Sequence, residues 1–183
     1  VTNDKKVIRS IKDSRLLGIQ GDTKKRYKNA RTWVPVVNHQ GWRYHMSNIM
    51  AAIGIVQLKR FKILSQKRKK LAKFYDKKLL NQKNILTFKQ DYKSVVPHIY
   101  PIRIKKLKNR LKLIDSLKKK KIEVGYHYFP NHELNFYKKK GVILKNTDEL
   151  FPELLTLPMH PDITDKEANY IVKTFLKSLP AFS

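Results

Sequence analysis

An arginine, a tyrosine and a histidine stand together at Arg43-Tyr44-His45, just ahead of a run with the marks of a helix start. Ser47 takes the capping position there, and Ala51, Ala52 and Gly54 follow just inside. A helix N-terminus carries unpaired N–H groups and partial positive charge, so these three side chains beside it make a place to hold an anion. The competing reading is that Trp42 and Tyr44 pack while Arg43 forms a surface ion pair. The small residues let a second backbone approach closely, which marks the helix as a packing and interface element.

A second group lies in Gly125-Tyr126-His127-Tyr128-Phe129-Pro130-Asn131-His132, where a strand is expected to give way to a loop. Such junctions carry binding groups in α/β folds. His127, Tyr128 and His132 are therefore pocket-lining candidates, with packing and ordinary loop polarity as the alternative. The two histidines are five positions apart, which is not a zinc spacing, and no acidic or Cys partner is seen nearby, so no metal is expected. His160, between Pro158 and Pro161, reads as structural. The chain has no Gly-x-Gly-x-x-Gly, P-loop, Gly-x-Ser-x-Gly or His-Glu-x-x-His pattern, and no persuasive carboxylate pair. By itself it holds no complete catalytic constellation.

These groups need elements to position them. Residues 1–3 read as the tail of a strand, after which Asp4 caps a helix carrying Val7, Ile8, Ile11, Leu16 and Leu17, ended by Gly18. Residues 19–40 have no clear period and read as a long loop or two short strands around residues 33–37. From Ser47 to about Leu80 apolar residues recur at three and four, the pattern of one bent helix or two consecutive ones. Residues 95–104 contain Pro97 and Pro101 and read as an edge strand. Residues 107–121 are amphipathic, with Leu107, Leu111, Ile114 and Leu117 on one face. A strand over 122–129, short helices over 134–140 and from 146, and an extended piece over 155–159 complete the pattern. Thr164 and Glu167 have capping-box spacing and start a last helix with Ile171, Val172, Phe175 and Leu176 on its apolar face. Alternating strands and helices indicate an α/β class. Residues 1–45 look like the edge of something larger, and 46–183 like a long helix followed by a small α/β domain.

Composition narrows the classes. Of 183 residues, 41% are hydrophobic, enough for a core. There is no cysteine, which excludes disulfide scaffolds, thiolate metal sites and Cys nucleophiles. No apolar run approaches the roughly 20 residues that span a bilayer, and no signal-peptide pattern opens the chain. The start, Val1-Thr2-Asn3-Asp4, lacks an initiator Met and is expected to belong to a longer protein. The net charge of +27 comes from 32 Lys and only 9 Arg, dispersed along the chain. Base readout and bidentate phosphate contacts favour Arg, so the excess reads as a solvated surface before it reads as a nucleic-acid footprint.

Three segments together resemble the pyridoxal-phosphate-dependent sugar aminotransferases of the DegT/DnrJ type. They are residues 1–19; residues 41–58 with Arg68 and Tyr75 downstream; and Val96-Pro97-His98-Ile99-Tyr100-Pro101 with the two later His/Pro stretches at 127–132 and 157–164. The resemblance implies the C-terminal part of a type I aminotransferase, with residues 1–45 closing the cofactor-binding large domain and 46–183 forming the long helix and small domain. It implies a cytoplasmic homodimer with shared active sites, where Arg43 meets the cofactor phosphate of the neighbouring subunit. In many members an Asn takes that place, and the family's Arg two positions on is His45 here. Tyr44, His45, His127, Tyr128 and His132 become substrate-pocket candidates. The implied reaction moves an amino group, usually from glutamate, to a nucleotide-linked keto sugar for amino-sugar or polysaccharide synthesis. No catalytic residue is assigned within the chain, because the resemblance puts the Schiff-base lysine upstream of Val1, and the segment alone is expected to be inactive. A basic nucleic-acid-binding module and a catalytically inactive family relative stay open as alternatives.

Overall fold

Asp4 starts the first helix as its side chain predicts: one carboxylate oxygen accepts from the amides of Lys6 at 2.7 Å and Val7 at 3.3 Å. The computed structural model describes residues 2–21, 28, 34–139 and 141–182, and the chain divides into two units, residues 1–59 and 60–183.

In the first unit, α1 (Lys5–Ser14) buries none of its residues. The chain leaves it through Leu17 at φ 60° and Gly18 at φ 73°. It then pairs in antiparallel bridges, Leu16 with Arg43 and Ile19 with Val37. Thr2 and Asn3 form no strand, and residue 1 lies outside the described residues. Of the strands expected around 33–37, the structure shows only the bridge at Val37; Trp33 and most of 22–32 lie outside the described residues. Ser47 caps α2 (Asn48–Leu79), its Oγ accepting from the Met50 amide at 3.2 Å. One continuous helix of 32 residues replaces the choice between one and two.

The second unit holds the later part of α2, then β1 (Ile85–Thr87), β2 (Tyr100–Ile104), α3 (Arg110–Lys119), α4 (Lys145–Leu150), β3 (Leu154–Leu157) and α5 (Asp165–Ser178). The sheet is antiparallel in the order β1-β2-β3, with Leu86 opposite Arg103 and Ile102 opposite Leu155. Tyr75 and Leu79 of α2, Ile102 and Ile104 of β2, Leu113 and Leu117 of α3, Leu155 of β3 and Phe175 of α5 are fully buried together. Truncating any one of the aliphatic residues to Ala would cost about 2–5 kcal/mol. The Thr164–Glu167 capping box is complete on both sides.

Several expectations need correction. The strand expected over 95–104 begins only at Tyr100 and is the central strand, not an edge. Thr156 spends its N–H and C=O on Gly125, so Thr156 and Pro101 face each other as a non-bonded pair. The Pro101 nitrogen therefore points to the β1 side, past the end of β1, and no ladder bond is lost. The strand expected over 122–129 reduces to that single Gly125 bridge. Leu111 is exposed and Leu113 buried, which shifts the apolar face of α3 from the one expected. Of the helix expected over 134–140, residues 134–139 instead follow a 3-10 turn at Asn131–Glu133 as turns and irregular chain, and Lys140 lies outside the described residues.

Candidate functional site

In the first unit the Trp42–His45 tetrapeptide is held by its backbone. Trp42 donates to the Ser14 carbonyl at 2.6 Å, Leu17 to Trp42 at 3.0 Å, and Tyr44 to the Arg15 carbonyl at 2.9 Å. Ser14 Oγ and His39 Nε2 add a contact of 2.9 Å beside it. With the main chain pinned, the side chains stand outward. Trp42 and Tyr44 are exposed and lie nearly parallel, 6° apart at 6.3 Å between ring centres. They pack on each other rather than into a core.

Arg43 and His45 are exposed too, and Arg43 has no ion pair among the described residues, so the surface-ion-pair reading finds no partner. One residue beyond His45 and Met46, Ser47 covers only the Met50 amide, and the amides of Asn48 and Ile49 have no partner among the described residues. A guanidinium and two helix-start N–H groups without partners among the described residues are the kinds of donor a phosphate takes. Arg15 joins the same pairing through its carbonyl, and its Nε is buried without a hydrogen bond.

In the second unit the loop from Gly125 to His132 is fastened at both ends. His127 Nδ1 lies 3.1 Å from Thr156 Oγ1 on β3, which fixes the ring's orientation. Tyr128 stays exposed, set edge-on to His127 at 4.8 Å. His132 is drawn away from them: its Nε2 sits 2.7 Å from Asp148 Oδ1 and 3.8 Å from Glu133 Oε1. An acidic partner therefore does lie nearby, contrary to expectation, supplied by the adjacent Glu133 and by α4 sixteen positions downstream. Each partner is otherwise engaged, Asp148 with the Leu144 amide and Glu133 with Lys138. This is the geometry of a loop staple.

Between these ends, the Arg110 guanidinium lies 4.1 Å over both the Tyr126 and Phe151 rings. It donates to the carbonyls of Phe151 and Leu154, and burial pulls it below the ordinary arginine range. The sequence contained no signal for this sandwich, which is built from residues far apart in the chain.

Arg68 and Tyr75 hold the two proline-rich segments to α2. Arg68 donates to the Met159 carbonyl at 3.1 Å and the His98 carbonyl at 3.4 Å, and the Tyr75 hydroxyl to Pro158 at 2.9 Å. His160 accepts from the Asp162 amide at 3.3 Å, in keeping with a structural part. The structure thus keeps Arg43, Tyr44 and His45 together, joins His127 to Tyr128, and ties His132 elsewhere.

The described elements make a mixed helix and sheet fold with a side-chain-capped start to its longest helix. The profile of the DegT/DnrJ/EryC1/StrS aminotransferase family matches residues 1–176, and the chain belongs to that family. It is 34% identical to an uncharacterised protein of Methanocaldococcus jannaschii over 96% of this chain and 48% of the relative. It is 33% identical to UDP-4-amino-4,6-dideoxy-N-acetyl-beta-L-altrosamine transaminase of Campylobacter jejuni over 98% of this chain and 47% of that enzyme. Among solved structures, Helicobacter pylori PseC, an aminotransferase of pseudoaminic acid biosynthesis, superposes with a TM-score of 0.85 at 24% identity, covering 100% of this chain and 48% of that one. Spr1654 of Streptococcus pneumoniae in its PMP form gives 0.84 at 26% identity, over 98% and 46%. The chain thus spans about half the length of the curated relatives it matches. Its architecture is that of a part of the type I aminotransferase fold, and the family's cofactor is pyridoxal phosphate. No helix among the described residues is long and apolar enough to cross a membrane.

Proposed function

We propose that this chain is the C-terminal portion of an aminotransferase that moves an amino group, from glutamate, onto a nucleotide-linked keto sugar for amino-sugar or polysaccharide synthesis. The observation that carries the reading is Arg43: an exposed guanidinium with no partner among the described residues, in a backbone-pinned segment five residues ahead of a capped helix.

When bound, pyridoxal phosphate supplies the electron sink that lets nitrogen move between carbon skeletons. Arg43 and the amides that open α2 would hold its phosphate, across the boundary of a homodimer. Tyr44 and His45 are the substrate-pocket candidates of the first unit, and His127, orientated by Thr156, with Tyr128 and His132 those of the second. Residues 1–45 close the large domain, 46–183 form the long helix and small domain, and the catalytic lysine lies upstream of Val1, so the segment alone is inactive. The relatives' names support the substrate class, and the absence of cysteine is compatible with a cytoplasmic site of action.

The test is spectroscopic. The full-length protein loaded with pyridoxal phosphate should show a visible absorbance band that glutamate bleaches and a keto sugar nucleotide restores. A band indifferent to glutamate and to other amino acids would remove the aminotransferase assignment.

A further inference from the structure

Arg110 is the first residue of α3, and no acidic residue stands in the first turn of that helix. A cation at this end opposes the helix dipole, whose N-terminus is positive. The side chain is half-buried and meets no carboxylate among the described residues. Neither the helix nor an ion pair accounts for its place.

Its neighbours do. The Tyr126 and Phe151 rings stand at 87° to each other with centres 5.2 Å apart, and the guanidinium fills their corner, 4.1 Å from both. From there it donates to the carbonyls of Phe151 and Leu154. One side chain thus joins the start of α3, the start of β3 and the loop that follows Gly125. A lysine has no plane with which to fill the corner while reaching two carbonyls. All of these residues belong to the second unit.

Tyr126 is followed directly by His127 and Tyr128, both exposed. Their stance is set from one side by Thr156, 3.1 Å from His127 Nδ1, and from the other by Arg110 through Tyr126. Residues 125–137 contain no Lys or Arg, in a chain with 41 basic residues. Such a loop is poorly equipped to hold a carboxylate or a phosphate. An imidazole and a phenol suit the hydroxyls and the C–H face of a sugar ring.

We propose that Arg110 is a positioning residue for the sugar-bearing substrate: it acts through Tyr126 on the stance of His127 and Tyr128, and leaves the amino donor unaffected. This inference rests on the aminotransferase reading, with those two residues as pocket groups.

The test compares two amines on the full-length protein loaded with pyridoxal phosphate. One is glutamate, and the other is UDP-4-amino-4,6-dideoxy-N-acetyl-beta-L-altrosamine, the amino sugar in the name of the Campylobacter relative. Each should bleach the visible band by giving up its amino group. Arg110→Gln should raise the half-saturating concentration of the amino sugar at least tenfold and change that of glutamate less than twofold. Tyr126→Leu, which keeps the charge and its carbonyl bonds, should do the same, and it decides the matter if Arg110→Gln does not fold. Tyr126→Phe, which keeps the ring, should match the parent. Gly125 and Thr156 bond to each other through their amides, and exchange there gives a readout apart from turnover. It should quicken at least tenfold in both disruptive variants. Equal losses for the two amines would make Arg110 a general structural part and overturn the proposal. So would an unchanged response to the amino sugar, unchanged exchange, or a parent that only glutamate bleaches. A parent bleached by neither amine would remove the aminotransferase reading, and this proposal with it.

Discussion

A Cβ placed on Gly41 would lie 2.0 Å from the amide nitrogen of Gly18. The approach is mutual, because a Cβ on Gly18 would come within 2.1 Å of the His39 carbonyl oxygen, and Gly18 also sits at φ 73°. Two chain segments therefore touch backbone to backbone where α1 ends, and this contact sets the course of the chain into Trp42 and Arg43. Gly41→Ala should force them apart. The amides of Leu17, Trp42 and Tyr44 are expected to exchange at least tenfold faster, about 1.4 kcal/mol of local stability. Unchanged exchange would mean that the pairing is held by something other than this contact.

Arg43→Ala in the full-length protein should loosen the cofactor without unfolding the loop, because the backbone bonds at Trp42 and Tyr44 do not involve the side chain. A charge-assisted phosphate contact contributes about 1.5–3 kcal/mol, so retention of pyridoxal phosphate on dialysis should fall by roughly ten- to a hundredfold. Arg43→Lys should recover part of it, since charge survives but the two-pronged geometry does not. Full retention in the alanine variant would take Arg43 out of the site.

What the sequence made legible was local. Asp4, Ser47 and the Thr164–Glu167 pair mark helix starts through side chains that reach two or three residues, and all of them cap as their spacing requires. The long apolar period of α2 was equally readable. Strands were not, because a strand is defined by its partner. Ile85–Thr87 is too short to show alternation, while the β-prone stretch 122–129 finds a partner only at Gly125. Pro101 argued for an edge, and only the register with Thr156 shows why a central strand tolerates it. In the candidate site, contiguous Arg43-Tyr44-His45 could be seen in one glance. The His132–Asp148 staple and the Arg110 sandwich could not, since each joins residues separated by whole elements.

Three tyrosines should resist alkali. Tyr100 donates to Asp76 Oδ1 at 2.5 Å, and burial first, then the Asp76 carboxylate, pushes its phenol well above the usual range. Burial does the same to Tyr75, and burial followed by Asp76 to Tyr92, whose Oη finds no well-formed hydrogen bond. A folded-state pKa raised above the unfolded value of about 10 means stability is whole below that pH and is lost as pH climbs beyond it. In a phenolate absorbance titration these three should ionise late, together with loss of helical signal. Nine tyrosines titrating freely near their ordinary value would contradict the buried cluster.

At the acid end the group to watch is Glu153. The Lys106 amide, donating to Oε1 at 2.8 Å, and then the Arg103 Nε, donating to Oε2 at 2.6 Å, hold its carboxyl below the usual glutamate range. Arg103 is on β2 and Glu153 directly precedes β3, so this carboxylate fastens the register of those two strands at one end. A depressed folded pKa contributes stability above the unfolded value of about 4.3, and that contribution disappears as pH falls through the folded one. Glu153→Gln should lower stability near neutral pH by about 1–2 kcal/mol, the range of a partly exposed charge-assisted bond. It should also flatten the decline below about pH 4. If thermal melts of the variant and the parent run parallel across that acid range, the carboxylate contributes nothing through its charge, and the β2–β3 register is held by the ladder alone.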